Sequence, residues 1–228
     1  MVTLKEIHLL QSHESETIAK SNKDFPEKLS FVESLSELLL QTAKEMDGKV
    51  QDLSSNQDAA YRITFRIFRT VRCSLKAALE GYYDVSMALL RIAYENHLLM
   101  KYLSEHEKEA ELWFKGKRFS PHFLRANVSY SSNTLYQEMS ESIHCSFKSS
   151  LSFTVVEERQ TKATLGEYDK DQFGRSLLLI LMTLETTMIW LSLTLSERLI
   201  ENEEWHSIFM TTVPRIWKSL KRECRTKS

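Results

Sequence analysis

Glycine and proline are scarce in this chain, five and three residues among 228. Turn-rich β sandwiches and folds that cradle phosphates in glycine loops need many more of both, so the scarcity favours long helices. Cysteine is equally sparse. Cys73, Cys145 and Cys224 are odd in number, far apart and in no paired spacing, which argues against a disulfide framework or a zinc knuckle and fits a reducing, cytoplasmic setting. A surplus of one charge is missing too: 30 Lys and Arg oppose 31 Asp and Glu, a net charge of -1. No global field therefore draws the chain to nucleic acid or acidic lipid, and such binding needs a local patch. The first residues, MVTLKEIHLLQSHESE, break their apolar positions with Glu6, His8 and Gln11, unlike the continuous apolar run of a secretory signal.

What is present is an ordinary globular composition, 42% hydrophobic and 27% charged, in a chain long enough to bury a core without staples. No internal repeat or linker divides it, so residues 1–228 read as a single helical domain, with residues 1–50 as a more mobile N-terminal arm. Leu4, Ile7 and Leu10 suggest a short first helix, and Pro26 opens a second that Gly48 ends. A third runs from about Asp58 to Glu80 with Gly81 as its stop, and a fourth follows Asp84 as N-cap to about Leu103. His106 to Lys115 continues helically to Gly116, Ser120-Pro121 caps another short helix, and Leu135 to His144 reads as one more. Beyond it the helical period fades, leaving either a small β-hairpin near 153–168 or a long ordered loop. Helix returns from Phe173 through Asn202. The expected fold is an all-α, up-and-down helical bundle.

Ser176 to Leu195, SLLLILMTLETTMIWLSLTL, has the length of a bilayer span. Glu185 at its midpoint makes insertion costly, so the expectation is a central bundle helix and no membrane partner. Glu185 should then be buried and hydrogen-bonded, with Gln a better replacement than Leu.

Three groups of polar residues stand out. Arg62, Arg66, Arg69, Arg72 and Lys76 share one face of the third helix, opposite Ile63, Ile67, Val71 and Ala78, with Tyr61 and Phe65 nearby. Such a stripe suits a phosphate backbone, or it is simply a solvated face. On the fourth helix Arg91, Glu95, Asn96 and His97 interrupt LLRIAYENHLLMKYL. Arg91 and Glu95, four apart, suit a structural ion pair, while His97 lies about 120° from Arg91 round the helix. Tyr136, Ser140 and His144, spaced four and four, form a third stripe whose imidazole suits acid/base work or ordinary hydrogen bonding. Arg91 and Glu95 should meet Ser140 and His144, with His97 facing elsewhere.

Glu141-Ser-Ile-His144 and Glu203-Glu-Trp-His206, with Glu95 and Glu185, match the ligand inventory of a di-iron carboxylate bundle. If helix is continuous from Glu185 to Glu203, those two lie about 27 Å apart and cannot share a metal pair. The expectation is no metal and no cofactor, unless a break near Asn202 folds the chain back.

GYYDVSMALLRIAYENHLLMKYLSEHEKEAELWFKGKRFSP followed by LYQEMSESIHCS resembles a family of bacterial helical proteins with affinity to HEPN-like bundles. The resemblance covers about residues 75 to 150. It rests on Arg91-x-x-x-Glu95, the Trp113 to Pro121 stretch, and Ser140-x-x-x-His144. It implies a helical bundle, an Arg–His pair met formally by Arg91 and His97, and a dimer mate bringing a second copy. In HEPN ribonucleases the histidine would handle the 2′-hydroxyl or leaving-oxygen proton while the arginine neutralises the phosphate. Active members carry a polar residue after the arginine, where Ile92 stands here, and many related bundles are noncatalytic. Two functions follow: an RNA-directed protein in a stress or phage-defence setting, or a noncatalytic module binding a partner protein or ligand, with Arg91 and Glu95 fixing the core.

Overall fold

The computed structural model describes residues 4–46, 49–129, 136–137, 139–140, 154–157, 160–163, 167–199 and 202–226. Helix α1 spans Leu4–Asp24, α2 Pro26–Glu45 and, after a 3-10 turn at Val50–Asp52, α3 Ser55–Leu79. Next come α4 Tyr83–Glu105, α5 Glu107–Phe114 and α6 Pro121–Asn127. Strands β1 Thr154–Glu157 and β2 Gln160–Ala163 pair antiparallel, Thr154 opposite Ala163. Helices α7 Lys170–Thr194, α8 Ser196–Leu199 and α9 Glu203–Thr226 follow.

Local chemistry explains most boundaries. Pro26 occupies the first turn of α2, where its missing N–H costs nothing. α3 starts three residues before Asp58: the Gln57 side chain accepts the Ser54 backbone N–H at 3.2 Å, half of a capping box. Gly81 adopts a φ of 86° after α3, the left-handed conformation that lets Tyr82 N–H reach the Ala77 carbonyl at 2.8 Å. α4 therefore begins at Tyr83, with Asp84 inside its first turn rather than capping it. Ser120 caps α6 as its spacing predicts, accepting the Phe123 N–H at 3.2 Å. Gly48 and the expected helix from Leu135 to His144 fall largely outside the described residues; Tyr136, Gln137, Met139 and Ser140 are helical.

Cross-helix contacts set the topology. Asn56 donates to the Ser104 carbonyl and Ser74 meets Ser86, so α3 and α4 are antiparallel. Asp169 N–H donates to Tyr83 Oη near one end, while His97 meets Thr187 and Lys101 lies over the Trp190 ring further along. α4 and α7 therefore run parallel. Strict up-and-down order is broken between them, because the chain after α4 must return to the starting end before α7 begins.

The core contains Leu35, Leu38, Ile63, Ile67, Leu90, Leu98, Leu177 and Leu184. One expectation is corrected here: α1 is 21 residues long rather than short. α2 contributes to the core, since Phe31, Val32, Leu35, Leu38, Leu39 and Met46 are all buried. α7 is long and apolar enough to cross a membrane by length and composition; here Phe173, Leu177, Leu181, Leu184, Met188 and Leu191 are buried in the bundle.

Candidate functional site

The α3 side chains divide by helical phase. Ile63, Ile67, Val71 and Ala78 are buried, while Arg62, Arg66, Arg69, Arg72 and Lys76 are all exposed. Arg62 to Lys76, fifteen residues of helix, carry this basic face over about 21 Å. Among the described residues acids contact only its ends: Asp58 holds Arg62 at 2.7 Å, and Glu80 approaches Lys76 at 4.0 Å. Among the described residues Arg66, Arg69 and Arg72 make no ion pair. Aromatic edges border the stripe, with Tyr61 and Phe65 packed edge to face at 4.9 Å and the Arg72 guanidinium 6.0 Å from the Phe68 ring centroid.

Arg91, Glu95 and Tyr136 form a closed triangle. Arg91 Nε donates to Glu95 Oε1 at 3.1 Å, and Arg91 Nη2 donates to Tyr136 Oη at 2.6 Å. The phenol in turn donates to Glu95 Oε1 at 3.0 Å. Both charged side chains are largely shielded, so the Coulombic attraction and the hydrogen bonds act in a medium less polar than water. Ser140 lies one turn beyond Tyr136, buried, and its hydroxyl donates to the Tyr136 carbonyl at 2.6 Å. Arg91 and Glu95 thus meet Tyr136 rather than the Ser140 hydroxyl, which bonds within its own helix; His144 lies outside the described residues. Sequence reasoning missed Arg125. Its guanidinium sits 3.8 Å from the Tyr136 ring centroid, a second cation on the ring that Arg91 approaches at 4.7 Å. The one signal was the Ser120-Pro121 start, which places Arg125 in the last turn of α6.

His97 does face elsewhere. It is buried at 4% exposure, with Nδ1 3.3 Å from Thr187 Oγ1 on α7. Burial, and then the nearby Lys101 charge, push its pKa down to about 4. At neutral pH it is an uncharged interior group and shares no surface with the Arg91 triangle. Lys101, also buried, lies over the Trp190 ring at 3.5 Å and pairs with Glu105.

Glu185 corrects the sequence reading in part. It is buried at 1% exposure as expected, but among the described residues neither carboxylate oxygen has a hydrogen-bond partner. Burial raises its pKa to about 7. Continuous helix from Glu185 to Glu203 is likewise overturned, because α7 stops at Thr194 and Asn202 starts α9 by accepting the Trp205 N–H at 2.8 Å. The break falls where the metal reading required it. Among the described residues no three His, Cys, Asp or Glu side chains cluster as metal ligands, and Glu141 and His144 lie outside them.

Comparison with known protein families, curated proteins and solved structures finds no match.

Proposed function

We propose that this protein binds RNA along the exposed arginine face of α3, on a HEPN-like scaffold in the cytoplasm, and does not cleave it through Arg91 and His97. The observation that carries the reading is the trio Arg66, Arg69 and Arg72, exposed and without acidic partners among the described residues, in a chain of net charge -1. A solvated helix face in a near-neutral protein usually mixes both signs; here, among the described residues, acids pair only with the ends of the stripe. Counterion release favours a polyanion on such a row, and the aromatic edges beside it suit unstacked bases.

Cleavage through Arg91 and His97 is left out for geometric reasons. A general base must reach the 2′-hydroxyl and exchange protons near neutrality. His97 is enclosed and turned toward α7, while Arg91 is committed to Glu95 and Tyr136.

Fluorescence anisotropy with a labelled single-stranded RNA tests the proposal, with the RNA run on a denaturing gel afterwards. Arg66→Gln/Arg69→Gln/Arg72→Gln should weaken binding by about tenfold or more at moderate salt, with the RNA intact throughout. Unchanged affinity would remove α3 as the interface. Cleavage abolished by His97→Gln would restore the ribonuclease reading.

A further inference from the structure

The C-terminal helix carries a second basic surface of different character. α9 is fixed on its inner side: Trp205, Val213 and Ile216 are buried, and Trp205 Nε1 donates to Thr42 Oγ1 on α2 at 2.8 Å. Arg215 lies over the Phe31 ring at 5.3 Å. On the outer side Met210 and Trp217 remain 55% and 47% exposed. With Pro214, also exposed, they are spaced four and three, so they form one outward apolar stripe, Met210 being about 140° round the helix from Trp205.

Charge concentrates in the same segment. Residues 214–228 contain Arg215, Lys218, Lys221, Arg222, Arg225 and Lys227 against Glu223 alone, although the whole chain is close to neutral. Lys218 is exposed beside the stripe. A phosphate backbone would be attracted by the charges but would gain nothing from an exposed methionine. A bilayer surface uses both features, because the apolar side chains enter the boundary between headgroups and acyl chains while Lys and Arg meet anionic headgroups. Tryptophan suits that boundary, with its apolar rings and its polar N–H.

We propose that the outer face of α9 docks on an anionic phospholipid surface, Met210 and Trp217 entering it and Lys218, at the start of a basic stretch of sequence, meeting the lipid charge. This is peripheral attachment by one helix face, independent of the α3 surface and of any bilayer crossing by α7.

Cosedimentation of the full chain with vesicles tests it, using phosphatidylcholine alone or with about 30 mol% phosphatidylserine. The expected result is a partition about tenfold or more stronger into the anionic vesicles. Met210→Ser/Trp217→Ser and, separately, Lys218→Gln/Lys221→Gln/Arg222→Gln should each lower it by about fivefold or more, with far-UV circular dichroism confirming the fold. Trp217→Gln alone serves as a milder second variant. The α3 triple variant should leave sedimentation unchanged. Equal partition into neutral and anionic vesicles, or none into either, would overturn the proposal. So would α9 variants that lose RNA binding while vesicle binding stays the same, which would make this face a nucleic-acid surface.

Discussion

Two buried ionisable residues act on stability in opposite directions. Burial raises the Glu185 carboxyl from 4.5 to about 7, so between those values the folded chain holds a proton that the unfolded chain releases. Its presence lowers stability progressively as pH rises from 4.5 to 7, by roughly 3 kcal/mol in full. His97 is lowered from 6.5 to about 4, so the unfolded chain binds the extra proton and stability falls as pH drops through that window. From about 4.5 to 6.5 the two slopes nearly cancel. Relative to wild type, Glu185→Gln should therefore gain stability toward pH 7, and His97→Gln should gain it toward pH 4. Urea midpoints measured from pH 4 to 8 check this, and parallel profiles for all three proteins would contradict it. The Glu185 oxygens, without a hydrogen-bond partner among the described residues, also change the substitution order expected from sequence. Glu185→Leu removes that buried polar group and should be tolerated at least as well as Glu185→Gln.

At the scale of elements, the Arg91 triangle ties α4 to the helical segment carrying Tyr136. Arg91→Ala leaves Glu95 and the phenol without their shared donor and should cost roughly 2 kcal/mol. Arg91→Ala/Glu95→Ala should cost less than the sum of its single variants, because the second change removes the stranded charge. Denaturant unfolding of the three variants measures the difference, and strict additivity would show that the pair is not coupled. Gly81→Ala should cost about 1 kcal/mol, since an alanine must adopt the left-handed turn that ends α3. A midpoint equal to wild type would contradict that reading of the turn.

Much of this level was legible in the sequence, because helical phase and caps are local. Pro26, Gly81 and Ser120-Pro121 mark real boundaries, and the phase of Ile63, Ile67 and Val71 separates the core side of α3 from its basic face. The pairing of Arg91 with Glu95 follows from a spacing of four. Asp84 misled because an acid in the first helical turn resembles an N-cap in sequence. Arg125 was missed because its partner lies 11 residues on in a separate element, and no periodicity relates separate elements.

For the whole molecule, long-range placement was the illegible part. The parallel run of α4 beside α7 depends on where the intervening chain returns, and hydrophobic period carries no direction. The break at Asn202 was equally hidden: the stretch from Glu185 to Glu203 lacks Gly and Pro, yet Asn202 can satisfy the first turn of α9 with its own side chain. The result is a bundle whose interior takes up His97 while the α3 arginines stay in solvent. Placing the α3 arginines outside and His97 inside supports the proposed electrostatic binding over acid/base chemistry through Arg91 and His97.

That central claim predicts a specific response to salt. If Arg66, Arg69 and Arg72 each contact one phosphate of single-stranded RNA, the slope of log affinity against log salt should fall in magnitude by about 2 in the triple Gln variant. Titrations of both proteins with the same RNA at several salt concentrations measure it directly. A reduction near that value supports a phosphate-tracking face on α3, and identical slopes, or no binding by wild type at low salt, would contradict it.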